Sequence, residues 1–232
     1  MSLPSGDYLI VSCEHGGNRV PPCFRKLFSE ALLSTHRGYD PGALALARDL
    51  AAASAAPLFY STISRLLVEL NRPPGHPQVF SVAFPEATRE ALLRRYYFHY
   101  WKTVEARVAQ ARGRVLHLSC HSFTPRLRGV RRTTDIGLLF DPARRLEARF
   151  AQAWLKALRE HAPRMRVRNN DPYPGTHPSL VQSLREKFGA KRYVGIQIEV
   201  NQRFPRGGAR RWKAVRGTLL ASFQRALQNW SG

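Results

Sequence analysis

Short apolar runs of period two alternate along this chain with longer stretches of period near 3.6, and that alternation restricts the fold more than any single motif. Tyr8-Leu9-Ile10-Val11-Ser12-Cys13 reads as a buried strand that runs into the loop Gly16-Gly17-Asn18. Asp40-Pro41-Gly42 then opens an Ala- and Leu-rich helix to Ala56, with Asp40 as N-cap and Pro41 at the first helical position; Pro57 stops it. Leu58 to Leu70 supplies one or two strands before the rigid loop Asn71-Arg72-Pro73-Pro74-Gly75. From Glu86 to Arg112, Leu92, Leu93, Tyr96, Tyr97, Tyr100, Trp101 and Val104 recur at helical spacing, so the aromatics read as core packing.

Arg114 to His121 returns to alternation, with Val115, His117, Ser119 and His121 on one face and Leu116, Leu118 and Cys120 on the other. Ile136 to Phe140 reads as a strand, Ala143 to His161 as a helix, and Met165 to Arg168 as a short strand before the loop Asn169 to Gly175. Tyr193 to Val200 sets Val194, Ile196, Ile198 and Val200 against Gln197, Glu199 and Asn201. Gly208 to Gln228 closes the chain as an amphipathic helix. Strands alternating with helices of this length predict an α/β fold with the sheet flanked by helices. A length of 232 residues fits one domain, 1–232.

Charge is the strongest compositional signal: 37 basic against 16 acidic residues gives +21. Six of the basic residues are lysines, so 37 − 6 leaves 31 arginines, whose planar forks suit carboxylates and phosphates. The basic residues are scattered rather than gathered into a tail or stripe. A solvated surface is therefore the favoured reading, and a nucleic-acid partner the weaker one, not excluded by the charge. Cys13, Cys23 and Cys120 are odd in number and lack CxxC spacing, which excludes a disulfide framework and a cysteine zinc finger. Any metal must then be held by His and carboxylate. No apolar run is long enough to span a bilayer, and Met1 to Asp7 lacks the basic-then-apolar layout of a leader, so a cytoplasmic protein with no membrane partner is expected.

In open α/β sheets the ligand crevice lies beyond the strand ends, which makes His15 and His121 the first candidates and Glu14, Asp40 and Glu199 the acids beside them. Neutral imidazole is a common zinc ligand, and a catalytic zinc takes three protein ligands. Each histidine alone reads as an ordinary hydrogen-bonded residue, since no HExxH spacing is present. His117 shares a face with His121, but about 13 Å of strand separates residues four apart, too far for one ion. Ser122 lacks a GxSxG elbow, and Cys120 reads as buried filler.

Five blocks, Cys13-Glu14-His15-Gly16-Gly17-Asn18-Arg19-Val20-Pro21, Tyr39-Asp40-Pro41-Gly42-Ala43-Leu44, Leu70-Asn71-Arg72-Pro73, His121-Ser122-Phe123-Thr124-Pro125 and Ile198-Glu199-Val200, together resemble the N-formylglutamate amidohydrolase family. They stand in the family's order and span about residues 8 to 204. The resemblance implies a zinc-carboxypeptidase-like and aspartoacylase-like fold, a mixed central sheet with helices on both faces. It implies zinc bound by His15 and His121, with Asp40 favoured as the third ligand and Glu14 as the alternative, because Asn18 stands where carboxypeptidase-type sites carry Glu. Glu199 matches the general base, and Asn71 and Arg72 the pair that grips a substrate carboxylate. The implied reaction is hydrolysis of a small anionic amide, by default N-formylglutamate to formate and glutamate. The alternatives are a related deacylase or peptidase on another carboxylate-bearing amide, or a basic nucleic-acid-binding protein on a hydrolase scaffold. Excess positive charge attracts a dianion, within a screening length of about 8 Å.

Overall fold

The structure, a computed structural model, describes residues 6–230. Most of the stretch Met1 to Asp7, read above for a leader, lies outside those residues. In chain order the elements are β1 (Tyr8–Cys13), α1 (Glu30–Leu33), α2 (Ala43–Ala53), β2 (Leu58–Tyr60), α3 (Glu86–Leu92), α4 (His99–Gln110), β3 (Val115–Phe123), β4 (Arg126–Leu127), β5 (Val130–Arg131), β6 (Ile136–Leu139), α5 (Arg145–His161), β7 (Val167–Asn169), α6 (Leu180–Lys187), β8 (Tyr193–Asn201) and α7 (Ala209–Gln228). A π-helical stretch, Leu93–Phe98, joins α3 to α4. Six strands form one sheet in the order β2-β1-β3-β8-β6-β7. All neighbours are parallel except β6 and β8, which makes the sheet mixed. Among the described residues no helix is long and apolar enough to cross a membrane.

Every residue of the two central strands β3 and β8 is buried, because helices cover both faces. On one face Leu116, Leu118, Cys120, Ile196 and Ile198 pack with Leu46 of α2, Trp154 of α5 and Phe223 of α7. The other face meets Tyr97, Trp101 and Val104 of the long interrupted helix and Leu180 and Leu184 of α6. That second face carries a buried polar row, and the register aligns its members: Ser12 lies opposite Ser119, Ser119 opposite Gln197, and His121 opposite Glu199. Buried polar groups need internal partners. His117 finds two, with Nδ1 2.6 Å from the Tyr193 hydroxyl and Nε2 2.8 Å from the Ser12 hydroxyl, and burial pushes its pKa down to about 4. It is a neutral structural group, far down the strand from the site.

The structure departs from the sequence reading at several places. Asp40 does not cap α2; the cap is Gly42 at φ +83°, where a Cβ would come within 2.6 Å of Pro205, and the Asp40 side chain turns elsewhere. Between Leu58 and Leu70 only Leu58–Tyr60 is a strand. Leu67, Val68 and Leu70 are buried in irregular backbone, tied by the Glu69 N–H to the Val79 carbonyl at 2.8 Å, because no neighbouring strand is there to pair with. The helix expected to Arg112 ends at Gln110, and α6 and the β4–β5 hairpin had no periodic signal long enough to read.

Candidate metal centre

The polar face of the sheet ends at the carboxyl ends of β1 and β3, where two loops meet. His15 follows β1, and its carbonyl accepts the Asp40 N–H at 2.9 Å, which docks the loop before α2 beside it. Asp40 then points one carboxylate oxygen, Oδ2, at both imidazoles: 3.2 Å from Nδ1 of His15 and 2.9 Å from Nδ1 of His121. The three side chains are buried, and their ligand atoms lie within 4.8 Å of one another. Asn18 is turned away, its Nδ2 donating to the Leu33 carbonyl at 3.2 Å.

The opposite nitrogen of each ring meets a different acid. Nε2 of His15 contacts Glu69, which also accepts the Asn71 N–H at 2.8 Å and Nε of Arg65 at 2.7 Å. Nε2 of His121 lies 3.1 Å from Glu14 and 2.9 Å from the Ser119 hydroxyl. Glu14 in turn accepts the Ser119 hydroxyl at 2.8 Å and the Tyr100 hydroxyl at 2.9 Å. A carboxylate behind an imidazole fixes its tautomer and orientation and raises the basicity of the nitrogen facing the metal. Tyr100 and Trp101, read as core aromatics, are core at their rings, but their polar tips hold Glu14 and the Leu70 carbonyl.

Electrostatics follow from this packing. Burial alone would raise the carboxyls of Glu14, Asp40 and Glu69, yet His121 holds Glu14, His15 holds Asp40 and Arg65 holds Glu69 well below the usual range. The same contacts overcome burial at the two rings and raise both imidazoles. Three buried carboxylates held ionised, Glu14, Asp40 and Glu69, share one guanidinium, Arg65. The balance is two positive charges short, and either two protons on the imidazoles or one divalent cation closes it. The donor set of two imidazoles and one carboxylate suits zinc, so the residues present fit the group that the resemblance implies.

A cavity of about 120 Å³ opens on Asp40, His15 and His121, and Glu199, Asn71 and Arg72 line it too. All six residues singled out from the sequence therefore border one space. Glu199 is buried, and among the described residues its Oε2 has no hydrogen-bond partner. Burial, reinforced by the charge of Asp40 and opposed by His121, pushes its carboxyl up to about 7. Arg72 is anchored through Nη1 to the carbonyls of Asn71 at 3.2 Å and Pro178 at 3.1 Å. Asn71 is fixed by accepting the Leu180 N–H at 3.0 Å, at the start of α6. Sequence reasoning missed Arg65, Glu69 and His177, which contact or line the site; Tyr173 falls in the loop Asn169 to Gly175 and was given no role. Glu69 carried one usable signal: it sits two residues before Asn71, the spacing of side chains that share a face in extended chain.

The model of a family described as N-formylglutamate amidohydrolase matches residues 8–204. A gene product of Agrobacterium tumefaciens of known crystal structure is 30% identical to this chain and superposes with a TM-score of 0.80, over 97% of this chain and 92% of that one. The CwlD amidase from Clostridioides difficile, solved in complex with the GerS lipoprotein, is 10% identical, with a TM-score of 0.47 over 96% of this chain and all (100%) of that one. A metallo-carboxypeptidase from Burkholderia cenocepacia is 12% identical, with a TM-score of 0.46 over 98% of this chain and 58% of that one. Among proteins of curated function none matches this sequence.

Proposed function

Because the chain belongs to the N-formylglutamate amidohydrolase family, and so to the hydrolases of amide bonds, we propose that it is a zinc-dependent enzyme that splits the amide of an N-acyl acidic amino acid, with N-formylglutamate as substrate and formate and glutamate as products. One observation carries the metal part of this reading: Nδ1 of His15, Oδ2 of Asp40 and Nδ1 of His121 converge in a buried pocket with an acid behind each ring. These three would hold the ion. When bound, zinc supplies Lewis acidity toward a carbonyl oxygen and makes water nucleophilic near neutral pH.

The chain's own residues do the rest. Glu199, with its carboxyl pushed up to about 7, exchanges a proton near neutral pH. It takes that proton from the attacking water and returns it to the leaving nitrogen. Arg72, held through Nη1 on two backbone carbonyls and through Nε on the Gln78 side chain, offers Nη2 to the substrate carboxylate, and Asn71 holds the strap that carries it. Glu14 and Glu69 keep the Nδ1 edges of both rings turned to Asp40.

The test combines metal analysis of the purified protein with release of glutamate from N-formylglutamate before and after chelation. One zinc per chain, with activity lost on chelation and restored by zinc, is the expected result. Turnover that survives complete metal removal overturns the metal reading, and turnover of other N-acyl amides but not of N-formylglutamate overturns the substrate.

A further inference from the structure

The strap from Asn71 to Pro77 has two sides. Asn71 and Arg72 line the metal cavity, whereas Pro74 to Pro77 wall a second cavity, of about 140 Å³, that shares no wall residue with the first. Val79, Phe80, Leu93, Tyr97 and Phe98 supply its apolar surface. The π-helical stretch Leu93–Phe98 explains why three of these meet there: a π turn closes residue i on i+5, which brings Phe98 as well as Tyr97 round to the side of Leu93. An apolar cavity of about 150 Å³ admits benzene, so this one has room for a single aromatic ring.

Two polar groups on the walls can take an anion. Arg89 is exposed and stands over the Phe80 ring at 5.5 Å, and among the described residues its guanidinium has no hydrogen-bond or ion-pair partner. His76 accepts the Gln78 N–H on Nδ1 at 3.1 Å, which leaves Nε2 as the donating nitrogen of the neutral ring. Among the described residues no acid lines this cavity. Its back wall reaches the metal site. The Tyr97 hydroxyl donates to the Arg72 carbonyl, and the Tyr97 ring stacks on Trp101 with centroids 5.3 Å apart. Trp101 in turn donates through Nε1 to the Leu70 carbonyl at 2.8 Å. A stacked aromatic pair therefore pins the strap on both sides of Asn71, and one member of that pair is a wall of the second cavity.

We propose that this cavity is a second binding site, for a small carboxylate bearing one aromatic ring, and that its occupancy stiffens the strap that carries Arg72. The ring fills the space between Leu93, Phe98 and the strap, and the carboxylate meets Arg89 and the Nε2–H of His76. With that space filled, Tyr97 has no free volume to turn into, and its bond to the Arg72 carbonyl persists.

The probe is phenylacetate, with its neutral isostere phenylacetamide as control. Both are titrated calorimetrically into wild type, Arg89→Glu, Leu93→Trp and Tyr97→Phe, and hydrogen exchange of the Asn71 amide is followed with and without phenylacetate. Wild type is expected to bind phenylacetate saturably and about 2- to 5-fold more tightly than phenylacetamide, the range for an exposed ion pair. Arg89→Glu should reverse that preference, and Leu93→Trp, whose indole fills the cavity, should abolish binding of both. In wild type phenylacetate should slow exchange of the Asn71 amide by roughly 5-fold or more, the low end of couplings between sites. Tyr97→Phe should keep the binding and lose the slowing. Absence of binding, or binding unchanged in both Arg89→Glu and Leu93→Trp, overturns the site. Binding with no change in exchange, or slowing that persists in Tyr97→Phe, overturns the link to Arg72. Neither measurement uses turnover, so both stand or fall separately from the amidohydrolase reading.

Discussion

Glu14 meets His121 on the imidazole nitrogen that faces away from Asp40: Oε2 of Glu14 lies 3.1 Å from Nε2, while Nδ1 lies 2.9 Å from Oδ2 of Asp40. The cause is strand register. β1 and β3 pair Ser12 with Ser119, so the residues two further on, Glu14 and His121, come opposite each other on the same face. The acid adjacent to His15 in sequence therefore serves the other histidine, and His15 is served by Glu69 from a distant loop.

Removing Asp40 should strip the metal, because the carboxylate shared by both Nδ1 atoms is lost. Glu14→Ala and Glu69→Ala should keep a metal site but weaken it about 10- to 100-fold, the usual effect of losing a group that orients a ligand. Zinc content after dialysis against graded chelator separates them. Loaded Asp40→Ala protein beside empty Glu14→Ala protein would exchange their roles.

Glu199→Gln should cost about 10²- to 10⁴-fold in turnover while leaving zinc content near that of the wild type. The motive is an Oε2 that is buried, unpartnered and on the wall of the cavity. Full activity, or loss of the metal, contradicts the role of proton carrier.

Glu199 also sets a pH dependence. Its carboxyl is raised from 4.5 to about 7 in the folded protein. As a base it must be ionised, so kcat/KM should rise with pH as Glu199 loses its proton. For stability the sign is opposite: the folded state keeps a proton that the unfolded chain loses, so the contribution is complete below about 4.5 and is lost as pH climbs through 7. Metal-free Glu199→Gln should consequently be more stable than wild type at pH 8, by about 3 kcal/mol, and equal to it near pH 4. Denaturant unfolding at the two pH values measures this, and equal differences at both would refute it.

Arg72→Lys should raise KM for carboxylate-bearing substrates by about 10-fold or more, with little effect on unfolding. An ammonium cannot hold two backbone carbonyls and still present a fork to the substrate. Unchanged kinetics would reduce Arg72 to a loop brace.

Glu147 and Arg185 form a buried ion pair at 2.9 Å that joins α5 to α6, and Arg185 also donates to the carbonyls of Gly175 at 2.6 Å and Gly195 at 2.8 Å. Glu147→Ala leaves a buried guanidinium without its counter-charge and should destabilise the fold by about 3–5 kcal/mol. Chemical denaturation checks the size, and a loss under about 1 kcal/mol would show that water or Gln182 takes over the pairing.

Local periodicity is written in the sequence, and it was enough to read the α/β class, the alternating faces of β3 and β8, and most helices. The strand ends also brought His15, Asp40, His121 and Glu199 to attention, and the family resemblance added Asn71 and Arg72; all six line a single cavity. Partner choice was beyond the reach of either. Asp40 looked like a helix cap because Asp before Pro at a helix start is one locally; only the folded chain brings it within 3.2 Å of two imidazoles 25 and 81 residues away. Glu69 and Arg65 lay in a run that reads as strand, and the absence of a neighbouring strand left that run irregular and turned its acid toward His15. A side chain's type and spacing belong to the sequence. Which atom it meets depends on strand register and loop docking, and those are set by the burial of both faces of the sheet at once.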